Sequence, residues 1–129
     1  MSDTTATRIT HIGAAAIHVD DQDKALDFYV GTLGFELRMD APFGEGNRWI
    51  AVAPPGATTT IALVKAHDAA QAGIDTGLRL VTADAAADHA ALSGRGVDVD
   101  AEIMQWPGVP PMFSFRDPDQ NMLYIVEGG

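Results

Sequence analysis

DDQDKALDFYVGTLGF, residues 20–35, is the stretch whose reading decides the fold. Asp20, Asp21, Gln22 and Asp23 form a cluster of side chains suited to cap the start of a helix. Ala25, Leu26, Tyr29, Val30 and Leu33 then recur at the i, i+3, i+4, i+7 spacing of an amphipathic helix. Gly34 supplies the stop. Upstream, residues 9–19 read as a small-residue strand in which Gly13 permits close approach of another backbone. Downstream, residues 35–38 read as a strand, and Pro42 with Gly44 to Gly46 as a turn. Residues 48–53 read as a strand ended by Pro54-Pro55-Gly56, and residues 58–64 as a β-branched strand. The order is β-α-β-β-β.

That order then repeats. Residues 77–82 predict a strand, and Asp84 caps an Ala-rich helix running to about Leu92, stopped by Gly94 and Gly96. Residues 97–103 predict a strand and residues 106–111 a Pro-rich connection. Residues 112–115 predict another strand, Asp117-Pro118-Asp119 a turn, and residues 122–127 the last strand. Asp21 matches Asp84, Gly34 matches Gly96, and Ile61-Ala62-Leu63 matches Leu123-Tyr124-Ile125. The fold class expected is therefore α+β: two tandem βαβββ modules, about 9–66 and about 75–127, forming a cup-shaped mixed sheet. Residues 1–8 are expected to be a disordered lead. One such module cannot cover both faces of its sheet, whereas two can curve around a shared cavity.

The bulk numbers bound the function. A chain of 129 residues suits one domain, and no apolar run approaches the roughly 18–20 residues that span a bilayer. The polar N-terminus has no signal-peptide core, so a cytoplasmic location is expected. With no cysteine there is no disulfide, no thiolate metal site and no cysteine nucleophile. A formal charge of −10 argues against nucleic acid and anionic membranes as partners. It is compatible with cationic or neutral ligands, and equally with a surface charge that only maintains solubility.

Asp23-Lys24-Ala25-Leu26-Asp27-Phe28-Tyr29 followed by Leu33-Gly34-Phe35 resembles the first helix and next strand of the vicinal-oxygen-chelate family of glyoxalases, bleomycin-resistance proteins and dioxygenases. Asp117-Pro118-Asp119-Gln120-Asn121 leading into residues 123–127 resembles that family's last turn and strand, with Gln120 in place of the usual glycine. The resemblance spans nearly the whole chain and implies a homodimer with a small-molecule cavity. It also implies four inward metal-ligand positions, which fall here on Ala14, Ala62, Gly77 and Tyr124. Alanine and glycine side chains have no donor atom and tyrosine is a rare ligand, so no metal and no other cofactor is expected.

Other residues carry candidate chemistry. His18 shares strand parity with Ala14 and is expected to face the cavity as a binding or acid–base residue. His11, His67 and His89 read as structural or surface residues. Arg79 shares parity with Gly77 and is suited to clamp a carboxylate or phosphate, or else to pair at a sheet edge. Asp75 is the nearest carboxylate in sequence, with no assured contact. Trp49, Trp106, Phe113, Met112, Phe115 and Met122 supply an apolar lining for an aromatic ligand, or ordinary core. Trp106, in a Pro-rich loop, is the one best placed to cover a pocket or interface.

Gly44-Glu45-Gly46 and Gly94-Arg95-Gly96 are turns rather than phosphate loops. The expected ligand-binding set is His18, Trp49, Arg79, Trp106, Phe113, Met122 and Tyr124, with His18 the catalytic candidate. The expected function is metal-free binding of a small aromatic or cationic molecule, as the resemblance to bleomycin-resistance-type members implies. The alternatives are a lyase, isomerase or dioxygenase, metal-dependent through unrecognised ligands or metal-free with His18 as base, and a purely partner-binding protein.

Overall fold

Asp21 and Asp84 both cap helices. Asp21 accepts from the backbone N–H groups of Asp23 and Lys24, and Asp84 from that of Ala87. The computed structural model describes residues 7–68 and 71–128, so the expected N-terminal lead lies outside the described residues except for Thr7 and Arg8. The first half runs β1 (Ala14–Val19), α1 (Gln22–Leu26), a π-helical turn (Asp27–Thr32), β2 (Glu36–Phe43), β3 (Asn47–Ala53) and β4 (Thr60–Lys65). The second runs β5 (Asp75–Thr82), α2 (Ala85–Gly94), β6 (Asp98–Val99), β7 (Met104–Trp106), β8 (Val109–Arg116) and β9 (Met122–Glu127).

Each half builds one mixed sheet with the same topology. The first has strand order β1-β4-β3-β2 and the second β5-β9-β8-β6, with β7 also paired to β8. In both, the strand before the helix lies parallel to the last strand of its half, β1 to β4 and β5 to β9. Gly34 and Gly96 occupy equivalent ends of the two helical segments with φ of 83° and 80°. This left-handed conformation is one that glycine adopts without steric cost. The α+β architecture of two βαβββ units expected from the repeat is the architecture observed.

Strand alternation sorts the side chains. Ile17 and Val19, Ile61 and Leu63, Ile50 and Val52, Phe113 and Phe115, and Leu123 and Ile125 all face the helices. They form one core with Ala25, Tyr29, Ala85 and Leu92. Phe28 and Phe115 bring the two halves into contact, with ring centroids 6.1 Å apart. Gln22, buried at the start of α1, donates to the carbonyls of Arg48 and Leu63 and so pins the helix onto β3 and β4.

Several boundaries differ from the sequence expectation, each for a physical reason. The helix over residues 25–33 stays α-helical only to Leu26. It then widens, with the Leu33 N–H donating to the Phe28 carbonyl at 2.9 Å. Pro42 lies inside β2 rather than in a turn, because β2 is a sheet edge and a missing N–H is tolerated there. β1 begins at Ala14; Ile9 and Ile12 precede it, exposed and outside any strand. The strand expected over residues 97–103 splits into β6 and β7. At the break the Asp100 carboxylate accepts from the Ser114 N–H at 2.8 Å, taking the place of a ladder bond. Trp106 ends β7 instead of sitting in a loop.

Candidate functional site

The core covers one face of each sheet; the other face of each mixes exposed side chains with buried ones. On the first sheet, the register sets Ala16 opposite Ala62, Ala62 opposite Ala51, and Ala51 opposite Met39. Ala16 is exposed, whereas Ala62 and Ala51 are buried, so this alanine row is accessible from its β1 end. Ala14 and His18 flank Ala16 on the same face of β1, and His18 is half-buried opposite Val64. Trp49, 40 % exposed, and Met39, 50 % exposed, lie on the same face.

The helix-distal face of the second sheet is polar at its centre. Tyr124 lies between Arg79 on β5 and Ser114 on β8. Its hydroxyl donates to Asp75 Oδ2 at 2.7 Å. The Arg79 guanidinium carbon sits 4.4 Å from the Tyr124 ring centroid, a cation–π stack. Gly77 makes this arrangement possible. With φ of 70° it sits where the β5–β9 register slips. Its N–H donates to Asp75 Oδ1 at 3.0 Å and its carbonyl accepts from Arg79 Nη1 at 2.6 Å. Asp75 and Arg79, left unconnected by the sequence reading, thus meet through Gly77 and Tyr124.

The electrostatics follow from these bonds. The Tyr124 hydroxyl, the Gly77 N–H and the nearby Arg79 charge hold the Asp75 carboxyl below the usual carboxylate range. The same hydrogen bond to Asp75 pushes the Tyr124 phenol up. At neutral pH this is a carboxylate, a neutral phenol and a guanidinium. Beside them, Asp100 accepts from the Ser114 hydroxyl at 2.8 Å and from Arg116 Nη1 at 3.0 Å. Burial raises the Asp100 carboxyl, but the bonds from Ser114 and Arg116 outweigh it and the net shift is downward. Arg116 Nη2 reaches the Met122 sulfur at 3.6 Å.

The residues singled out from the sequence are therefore dispersed over both faces. His18 and Trp49 lie on the helix-distal face of the first sheet, and Arg79, Met122 and Tyr124 on that of the second. Trp106 is 60 % exposed at the end of β7. Phe113 is fully buried on the opposite, helix-facing side of β8, edge-on to His89 at 5.0 Å. His89 is itself half-buried rather than a surface residue, donating to the Asp100 carbonyl at 2.7 Å. A separate cleft of about 640 Å³ opens on the helix side, lined by Leu33, Phe35, Leu78, Leu80, Leu92 and Ile125. Arg79 borders it through β5, with its guanidinium turned to Tyr124. Asp100 and Ser114 were missed, and Asp75 was named without its contact, because only the strand register brings them to Tyr124 and Arg116.

A divalent ion does not fit the four positions carried over from the resemblance. Ala14, Ala62 and Gly77 offer no donor, and the Tyr124 hydroxyl is engaged by Asp75. Among the described residues no group of three or more His, Cys, Asp or Glu side chains is placed to hold a metal ion.

Three comparisons bear on this geometry. TnmS3, an antibiotic binding protein from Streptomyces sp. CB03234, is 39 % identical, with a TM-score of 0.84 over 96 % of this chain and 100 % of that one. A member of the glyoxalase/bleomycin resistance protein/dioxygenase superfamily from Sphaerobacter thermophilus is 36 % identical, with a TM-score of 0.85 over 95 % of this chain and 100 % of that one. YetH of Bacillus subtilis is 29 % identical over 92 % of this chain and 99 % of its own length. The model of one family matches residues 8–125, and the chain belongs to that family, the glyoxalase/bleomycin resistance protein/dioxygenase superfamily.

Proposed function

We propose that this protein binds a small aromatic or cationic organic molecule on its helix-distal sheet faces, without a metal ion, as a cytoplasmic homodimer. The observation that carries the reading is the partial exposure of Trp49 and Met39 on the sheet face that also carries the alanine row Ala16, Ala62 and Ala51. Large aromatics left in water at such a position are suited to stacking on a planar ligand. The likeness to TnmS3, which is described as an antibiotic binding protein, supports the same reading. The charge of −10 favours cationic or neutral ligands over anions.

In this reading Trp49 and His18 contact the ligand from the first sheet, and Arg79, Met122 and Tyr124 from the second. Trp106 closes over the ligand from the end of β7. Phe113 backs the second sheet from within the core and makes no direct contact. The homodimer reading rests on exposed apolar residues away from these faces, Ile9 and Ile12 ahead of β1. Sedimentation measures that assembly, and a monomer at micromolar concentration removes it.

Titration of Trp emission with a panel of aromatic and cationic compounds tests the binding. Saturable quenching by at least one class is expected, and a flat response across the panel overturns the reading. Thermal unfolding of chelator-treated protein with Mn, Fe(II), Co, Ni and Zn added singly tests the metal-free part. A site filled at 100 times its dissociation constant adds about 2.7 kcal/mol. No shift is expected, and a clear shift with one metal moves a lyase, isomerase or dioxygenase activity to first place.

A further inference from the structure

The hydrogen-bonding valences of the Asp75–Tyr124–Arg79 group are partly spent, and what remains specifies a ligand. Asp75 uses one oxygen on the Gly77 N–H and the other on the Tyr124 hydroxyl. Tyr124 has given its only proton to Asp75, so its oxygen is left able to accept and unable to donate. Arg79 spends Nη1 on the Gly77 carbonyl and stacks on the Tyr124 ring. Its Nε and Nη2 donors have no hydrogen-bond partner among the described residues, and it forms no ion pair there. Arg38, Arg48, Lys65 and Arg116, by contrast, all pair with carboxylates. The group therefore offers donors from a guanidinium beside an acceptor on a phenol.

Charge and surroundings narrow the choice further. Asp75 and Arg79 offset one another, so the group is close to neutral. An added carboxylate would leave net negative charge beside Asp75, in a chain that already carries −10. Around the polar centre, alternation along β9 and β5 puts Met122, Val126 and Val81 on the same face. Resting on the ligand-binding reading above, we infer that the second sheet recognises a neutral planar aromatic molecule whose rim carries a carbonyl directly beside an N–H, as in a lactam. The carbonyl accepts from Arg79 and the N–H donates to the Tyr124 oxygen.

The test is a titration of nitrogen-labelled protein, followed by amide NMR, with carbostyril, N-methylcarbostyril, quinoline and naphthoate. Carbostyril is a benzo-fused lactam, its N-methyl form keeps the carbonyl but loses the donor, and quinoline has neither group. Carbostyril is expected to bind about fivefold more tightly than N-methylcarbostyril, shifting the amides of residues 75–79 and 124. In Tyr124→Phe, which keeps the ring under Arg79, that preference is expected to vanish, carbostyril and its N-methyl form then binding alike. Equal affinity for carbostyril and its N-methyl form overturns the lactam inference and leaves the aromatic-binding reading standing. Tighter binding of naphthoate than of carbostyril also overturns it, making Arg79 an anion site. Failure of all four compounds to bind overturns the inference and counts against the aromatic-binding reading.

Discussion

The Tyr29 hydroxyl donates to Asp117 Oδ2 at 2.9 Å, across 88 residues and inside the core, joining the first helical segment to the last turn. The same carboxylate accepts from the Asp119 and Asn121 N–H groups, each at 2.9 Å, and from Asn121 Nδ2 at 3.1 Å. Asn121 carries the linkage onward, donating to the His18 carbonyl and accepting from the Gly73 and Ile74 N–H groups. The turn that marks the family in sequence is thus the polar lock between its two halves.

Removing one donor from this lock should cost less than removing its acceptor. Tyr29→Phe loses one buried hydrogen bond and is expected to destabilise by about 1–2 kcal/mol. Asp117→Ala strands four donors and is expected to cost about 3 kcal/mol or more. Urea unfolding measures both. Equal costs for the two would mean that the carboxylate is not the hub.

Tyr29 also makes the fold sensitive to alkali. Burial, followed by the Asp117 charge and hydrogen bond, raises its phenol far above the ordinary value of 10.0. A group whose folded pKa is raised contributes stability that is fully present below its unfolded pKa and is lost as pH climbs above it. From about pH 10 upward the unfolded chain releases this proton while the folded one keeps it. The expected loss is about 1.4 kcal/mol per pH unit. Unfolding from pH 9 to 11 should show that slope in the native chain and a shallower one in Tyr29→Phe. Identical slopes would remove Tyr29 as the cause.

What the sequence made legible was local. Asp21, Asp84, Gly34 and Gly96 each declare a helix end by their own chemistry, and repetition of that punctuation revealed the two halves. What it hid depends on register between distant strands. Asp75 and Tyr124 lie 49 residues apart and meet only because β5 slips at Gly77. Phe113 was assigned to the ligand side because nothing local says that Ser114, rather than Phe113, pairs with Tyr124. His89 sits on a helix of alanines with no hydrophobic stripe to mark which side faces inward, so its contact with Phe113 was unreadable.

The repeat makes a paired prediction for its two helix-ending glycines. A Cβ added at Gly34 or Gly96 meets no atom within 4 Å, so the whole cost of alanine there is conformational. With φ of 83° and 80°, Gly34→Ala and Gly96→Ala are each expected to lose about 1–2 kcal/mol. Costs in that range at both positions, read from thermal unfolding, would confirm structural equivalence. A neutral effect at one would show that its turn relaxes and the equivalence is only topological.

The aromatics separate stability from binding. Phe113 is fully buried, whereas Trp49 is 40 % exposed on the face of the alanine row. Phe113→Ala opens a cavity in the shared core and is expected to cost about 3–5 kcal/mol. Trp49→Ala removes a side chain that is partly exposed and is expected to cost less, about 1–2 kcal/mol. Ligand affinity should follow the opposite order. Trp49→Ala loses the stacking surface and with it about tenfold or more in affinity, equivalent to about 1.4 kcal/mol. A milder core change such as Phe113→Leu, which keeps the fold, should leave affinity within about twofold, because Phe113 lies behind the sheet. If Phe113→Leu weakened binding as much as Trp49→Ala did, the ligand would have to sit on the helix side, in the cleft of Leu33, Phe35 and Leu80. The helix-distal faces would then be surfaces without a binding role.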